Sequence, residues 1–224
     1  MSTQASQSKQ QKSAGPLIYI VDDDDSMREA IELLLRTVGY ETMPFGRASE
    51  FLAKYNPDQH AVLVLDVRMP EMSGLEVQQQ LNRAGAMLPV IFMTGHGDIP
   101  MAVQAMKDGA FDFLTKPFDR ADLLGAVERA LAVDARLLER EREVADVRAH
   151  FVQLTARERE VCFAVTDGLL NKQVGAEFGV SEKTIKVHRA RVMDKMGATS
   201  LAELVRMADL MRADAEVLAG GVPS

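Results

Sequence analysis

The chain has 224 residues, a formal net charge of -7, 47% hydrophobic and 26% charged residues, a balance that suits two modest soluble domains. With no Trp and only 5% aromatic residues, stacking on single-stranded nucleic acid is a poor candidate for its main task. The single cysteine, Cys162, excludes an internal disulfide and a cysteine metal cluster. It lies among Val161, Phe163, Ala164 and Val165 and reads as a small buried core residue.

Acids exceed bases from Met1 to Asp134, and the two balance from Phe151 onward. Between Asn171 and Met196 bases lead, with Lys172, Lys183, Lys186, Arg189, Arg191 and Lys195 against Glu177, Glu182 and Asp194. A basic stretch in an acidic protein points to one localised polyanion contact.

Residues 1–16 read as a polar, disordered tail. Neither a signal region nor a bilayer-length apolar run follows, so a cytoplasmic location without membrane contact is expected. Leu17 to Val21 is an apolar strand ending in Asp22 and Asp23. A helix from Ser26 to Val38 follows, with Ser26 to Glu29 fitting a capping box. Tyr40 to Met43 is a short strand and Ala48 to Tyr55 a short helix. Ala61 to Leu65 reads as a buried parallel strand and ends on Asp66. A Pro-Gly loop, Pro70 to Gly74, leads to a helix ending near Arg83. Pro89 to Met93 is the fourth strand, followed by Thr94, Gly95, His96 and Gly97 and a helix from Ile99 to Lys107. The fifth strand, Phe111 to Leu114, runs into Lys116 and Pro117. Five alternations of strand and helix predict an α/β domain with a doubly wound parallel sheet.

In such a sheet the carboxyl ends of the strands line one crevice. If these strands are neighbours, Asp22, Asp23, Asp66 and Lys116 meet there. Three carboxylates close together require a cation, and oxygen ligands favour a hard one, Mg2+ first.

A long helical pattern starts near Asp119 and runs toward Ala149. Leu123, Ala130, Leu137, Val144 and Phe151 fit heptad a positions, with Ala126, Val133, Arg140, Val147 and Leu154 at d. Parallel pairing would set Arg129 against Asp134, Arg136 against Glu141 and Glu143 against Arg148, each pair opposite in sign. This predicts a coiled coil between two protomers. Beyond it, Thr155 to Glu158 is another capping box, and its helix stops at Gly168. Asn171 to Phe178, the Gly179 turn and Ser181 to Met196 have the outline of a helix-turn-helix. A last helix runs from Ser200 to about Met211.

Val21-Asp22-Asp23, Val64 to Pro70, Met93 to Gly97 and Phe113 to Phe118 together resemble the CheY-like receiver domain of response regulators. The resemblance implies that Asp66 accepts a phosphoryl group from a sensor histidine kinase. Asp22, Asp23, Asp66 and the Arg68 backbone carbonyl would hold Mg2+, Lys116 would pair with phosphoryl oxygens, and Thr94 would hydrogen-bond another. Thr94 and Phe113 would form the switch, and the Lys116–Pro117 bond would be cis. His96 reads as a loop residue in solvent. A phosphatase of the haloacid-dehalogenase type also uses an Asp after an apolar strand. It needs a second Asp two residues on, where this chain has Arg68, so no enzyme is expected.

Leu154 to Glu160, Gly168 to Val174 and Val180 to His188 resemble the LuxR/FixJ-type helix-turn-helix domain. Ile185, Val192 and Met196 share the core side of the third helix, leaving Lys183, Lys186, Val187 and Ala190 to face the major groove. Lys186 suits guanine and Val187 a thymine methyl. Lys172, Thr184, Arg189 and Arg191 suit phosphates. His188 is balanced between a DNA contact and a local hydrogen bond.

The expected organisation is a tail (1–16), a receiver (17–134), a helical linker (135–150), an all-α helix-turn-helix domain (151–212) and a frayed tail (213–224). The expected function is a phosphorylation-activated, dimeric transcription regulator of a two-component system. Its expected partners are a sensor histidine kinase, double-stranded promoter DNA and RNA polymerase. The alternative is a receiver-based interaction or phosphorelay protein without specific DNA binding.

Overall fold

The computed structural model describes residues 15–95 and 99–219, apart from the side chains of 99, 100, 102 and 216–219. His96, residues 1–14 of the first expected tail and 220–224 of the second therefore lie outside the described residues. Internal contacts divide the chain into two units, Met1–Leu138 and Glu139–Ser224.

The first unit is built around β3 (Ala61–Asp66), whose six residues are all buried. An apolar strand with no polar alternation must be covered on both faces, so it takes the centre of the sheet. β1 (Leu17–Val21) and β4 (Val90–Thr94) flank it, with β2 (Glu41–Phe45) and β5 (Asp112–Thr115) at the edges. All pairings are parallel, in the order β2-β1-β3-β4-β5. Strand order reverses between β1 and β3, where doubly wound folds lodge their ligands. Val21 pairs with Leu65, so Asp22 and Asp66 leave neighbouring strands side by side.

β3 alternates between two cores. Ala61, Leu63 and Leu65 pack with Phe51 of α2 (Ala48–Lys54), Val77 and Leu81 of α3 (Gly74–Arg83) and Ala105 of α4 (Ile99–Lys107). Val62 and Val64 pack with Ile31 and Leu35 of α1 (Asp25–Thr37) and with Leu123, Ala126 and Ala130 of α5 (Arg120–Phe151). β2 runs past the expected end at Met43, through Pro44 to Phe45. As an edge strand it tolerates a residue without an N–H.

The expected capping box at Ser26 is replaced by a cap two residues earlier. The Asp24 carboxylate accepts from Ser26 N at 2.9 Å and Met27 N at 3.2 Å, and α1 begins at Asp25. A carboxylate at the helix start also matches the dipole. Ser73 and Glu76 form a capping box that starts α3. Gly74 is required there: a Cβ would stand 2.4 Å from the Asp66 carbonyl oxygen and 2.9 Å from Phe92 Cε1.

In the second unit the end of α5 joins α6 (Ala156–Thr166), α7 (Asn171–Glu177), α8 (Glu182–Met196) and α9 (Leu201–Ala219). The Thr155–Glu158 capping box is present as expected, and Gly197 ends α8 in the left-handed conformation at φ 67°. α9 reaches Ala219 rather than Met211, so residues 213–219 are helical instead of frayed. Tertiary contacts hold it: Met211 is buried, Arg212 binds Asp167, and Asp214 binds Arg148 with Nε 3.0 Å from Oδ2.

α5 is one helix of 32 residues, and the two ends of its heptad stripe are packed within the units. Leu123, Ala126 and Ala130 are buried in the first unit. Val144, Val147, Phe151 and Leu154 pack in the second. Asp134, expected to meet a partner's Arg129, is buried and accepts from Ala61 N at 2.9 Å and from His60. Glu143 pairs with Arg206 and Arg148 with Asp214. Seven of the ten seam positions thus pack in the chain's own cores, while Val133 and Arg140 are exposed and Leu137 is half-buried between them. A spacing of three and four residues marks a buried stripe but does not say which surface buries it. No described helix is long and apolar enough to cross a membrane.

Candidate functional site

At the carboxyl end of the sheet, two buried carboxylates share one ammonium. Lys116 Nζ donates to Asp66 Oδ1 at 2.6 Å and to Asp22 Oδ2 at 2.8 Å. Asp22 is 1% and Asp66 7% exposed. The remaining oxygens are also used: Asp22 Oδ1 accepts from Asp24 N, and Asp66 Oδ2 from Arg68 N, both at 2.9 Å. The Lys116–Pro117 bond is cis, as the resemblance implied.

Burial pushes the Asp66 carboxyl above its ordinary range, and the Lys116 ammonium offsets only part of that. Burial alone would pull Lys116 down, but its bonds to Asp22 and Asp66 outweigh burial and hold it above its usual value. The site therefore keeps a firm ammonium beside a carboxylate whose charge is costly in isolation.

Asp23 is exposed at the rim, and among the described residues no three His, Cys, Asp or Glu side chains are gathered around one metal position. The donor set of Asp22, Asp23, Asp66 and the Arg68 carbonyl is nevertheless all oxygen, the chemistry that suits a hard divalent cation. Thr94 ends β4, is 1% exposed, and its hydroxyl donates to the Gly95 carbonyl at 3.3 Å rather than to Asp66. Phe113, in contrast to a plain core residue, is 40% exposed.

In the second unit α8 divides as its spacing implied. Ile185, Val192 and Met196 are buried, while Lys183, Lys186, Val187, Ala190 and Arg191 are exposed. Lys186 makes an ion pair with Glu182 at 2.9 Å, a turn back on the same face. Lys172 is exposed at the start of α7. Two expected phosphate-binding side chains have internal contacts. The Thr184 hydroxyl lies 2.9 Å from the Ser181 hydroxyl, and Arg189 Nη1 is 3.5 Å from Asn171 Oδ1. The His188 Nδ1 is buried without a hydrogen-bond partner. Gly179 makes the tight turn at φ 67°, and Gly175 in α7 lets the chain pass close: a Cβ there would stand 2.8 Å from the Val180 carbonyl oxygen.

Two participants are invisible to motif reasoning. Arg28 donates to the Asp22 backbone carbonyl at 2.7 Å and pairs with Asp25, bracing the acidic loop. Lys195 binds the buried Glu158 at 2.6 Å. The Glu158 capping role was legible, but no spacing rule connects it to a lysine on α8.

An acidic, lysine-bridged pocket at the switch point of a 2-1-3-4-5 sheet, followed by a tight-turn helix pair with a basic face, defines a signal-receiving module fused to a DNA-binding module. Residues 18–128 match the response regulator receiver domain, and residues 152–208 match the luxR family of bacterial regulatory proteins. Nodulation protein W of Bradyrhizobium diazoefficiens is 48% identical over 87% of this chain and 86% of its own. Response regulator protein TmoT of Ectopseudomonas mendocina is 45% identical over 88% of this chain and 89% of its own. The solved structure of the response regulator StyR superposes with a TM-score of 0.79 at 45% identity, covering 88% of this chain and 99% of that one. The chain belongs to the response regulators that join a receiver domain to a LuxR-type DNA-binding domain, transcription regulators rather than enzymes.

Proposed function

We propose that Asp66 is the phosphoacceptor and that its phosphorylation by a sensor histidine kinase switches DNA binding by the second unit. The observation that carries this reading is the Lys116 ammonium held between Asp66 and Asp22 at 2.6 and 2.8 Å. Asp66 attacks the phosphorus of a phosphohistidine; an O–P bond forms, the N–P bond breaks, and the imidazole departs with the bonding pair. Mg2+ held by Asp22, Asp23, Asp66 and the Arg68 carbonyl would neutralise charge on the transferring group. Lys116 leaves Asp22 for a phosphoryl oxygen, and the Thr94 hydroxyl leaves the Gly95 carbonyl for another.

Once Thr94 has turned, the exposed Phe113 ring fills the space it leaves. Val103, Met106 and Phe113, each at least 40% exposed, give α4 and β5 an apolar surface for a second copy of the chain. Dimerisation sets two α8 helices on two half-sites of double-stranded promoter DNA, with Lys183, Lys186 and Val187 toward the bases. Lys172, Thr184, Arg189 and Arg191 lie toward phosphates, and the bound dimer acts on RNA polymerase, all in the cytoplasm. Incubation with acetyl phosphate and Mg2+ tests this: one phosphoryl group is added to the wild type and none to Asp66→Asn, and only the wild type gains affinity for DNA. Equal phosphorylation of Asp66→Asn rejects the reading.

A further inference from the structure

Glu158 is a charged residue with 3% of its surface exposed, an expensive placement unless it is fully paired. Its Oε2 accepts from Thr155 N at 2.9 Å, closing the cap of α6. The same oxygen accepts from Lys195 Nζ at 2.6 Å, and that ammonium also donates to the Gln153 carbonyl at 3.2 Å. One oxygen therefore joins the chain entering α6, the first turn of α6 and the last turn of α8.

Lys195 keeps 32% of its side chain in solvent, and an ion pair with one end in water contributes little net stability, so stability is a weak reason for it. Geometry is a better one. Lys195 lies nine residues beyond Lys186 on α8, about 13 Å along the axis. A tilt of about 5° at the Lys195 end shifts the Lys186 end by about 1 Å, enough to break a hydrogen bond whose useful range spans about half an ångström. Ile185, Val192 and Met196 hold α8 down, but apolar contacts do not fix direction as an ion pair does.

We propose that Glu158 and Lys195 are positioning residues for DNA sequence recognition, fixing the angle of α8 so that Lys186 and Val187 meet base edges. The inference rests on the placement of Lys186 and Val187 at the bases. The pair makes no contact with DNA itself; it acts on discrimination between sequences and leaves general attraction to phosphates unchanged.

The test uses the full phosphorylated chain and two duplexes, one selected from random sequence by the wild type and one of random sequence. Wild-type preference for the selected duplex, lost in Lys186→Ala, first establishes base reading by α8; its absence rejects the placement rather than the positioning role. The double variant Glu158→Gln/Lys195→Met removes both charges and keeps an acceptor for Thr155 N. Its affinity for the selected duplex is expected to fall about tenfold with random-duplex affinity unchanged, while Lys195→Arg keeps the wild-type ratio. A folded double variant with the full wild-type ratio overturns the proposal, as does an equal loss on both duplexes. Should the double variant fail to fold, Lys195→Met alone is judged by the same ratio.

Discussion

Gly74 and Asp66 meet through the backbone: a Cβ on residue 74 would stand 2.4 Å from the Asp66 carbonyl oxygen, closer than real contacts allow. The first residue of α3 is thus pressed against the strand end that carries the acceptor carboxylate. Gly74→Ala has two opposed effects. Ala is the better helix former by at most about 1 kcal/mol. The clash with backbone and with Phe92 costs about 1–3 kcal/mol, because neither neighbour is a flexible side-chain tip. The clash wins, and denaturant melts are expected to show net destabilisation together with slower phosphorylation by acetyl phosphate. A variant as stable and as fast as wild type rejects this account.

Lys116→Ala leaves Asp22 and Asp66 buried together without their ammonium. An uncompensated buried charge costs about 3–5 kcal/mol. Burial already raises the Asp66 carboxyl, and the variant removes the cation that restrains it. A raised folded pKa means the folded state binds the proton more tightly, so stability declines as pH rises from the ordinary 3.8 through the raised value. The variant is therefore expected to melt lower at neutral pH, to recover toward acid, and to be stabilised by Mg2+ more than the wild type. Thermal melts against pH and Mg2+ check this; an unchanged response to Mg2+ counts against metal binding at these carboxylates.

These two sites differ in how much of them the sequence discloses. Asp22, Asp66 and Lys116 stand at strand ends, and strand ends are fixed by apolar runs that read plainly. The division of α8 followed from helical spacing in the same way. Partner choice did not. Asp24, not Ser26, caps α1: its carboxylate takes the N–H groups of Ser26 and Met27, so the helix has already begun when the chain reaches Ser26. Glu158 and Lys195, and Asp214 and Arg148, are joined only once the helices have packed.

Glu158 gives a prediction with a defined pH window. Its bond from Lys195, then that from Thr155 N, hold its carboxyl well below the ordinary 4.5, at about 2. A depressed folded pKa contributes stability that is complete above the unfolded value and lost as pH falls through the folded one. The gap between wild type and Glu158→Gln is expected to be constant above about pH 4.5 and to shrink toward pH 2. Chemical denaturation of the two proteins across that range measures it; a constant gap throughout contradicts the pairing.

Lys186 and Lys172 are both exposed but are expected to fail differently. Lys186→Ala removes a base contact and costs about 1–3 kcal/mol on the selected duplex alone. Lys172→Ala removes a phosphate contact, weakens binding to every sequence, and reduces the salt slope by about one. Titrations at several salt concentrations separate them. Equal, sequence-independent losses refute the division of labour.

The end of α5 belongs to the DNA-binding unit rather than to a linker between protomers. Val147 is 4% exposed, and Val144 and Phe151 pack on the same core as Leu204 and Ala208 of α9. Burying each such side chain stabilises by about 1.5–3 kcal/mol. The exposed ion pair of Glu143 with Arg206 adds less than about 1 kcal/mol. A fragment beginning at Glu139 should therefore unfold at higher denaturant than one beginning at Val152, by several kcal/mol on these figures. By the same argument Arg136→Glu should leave self-association of the phosphorylated protein unchanged, because Val144, Val147 and Phe151, which would continue the seam, are packed within the chain. Sedimentation of that variant and denaturation of the two fragments decide the matter. Equal stability of the fragments, or dimers lost in Arg136→Glu and regained on adding Glu141→Arg, would restore the coiled coil.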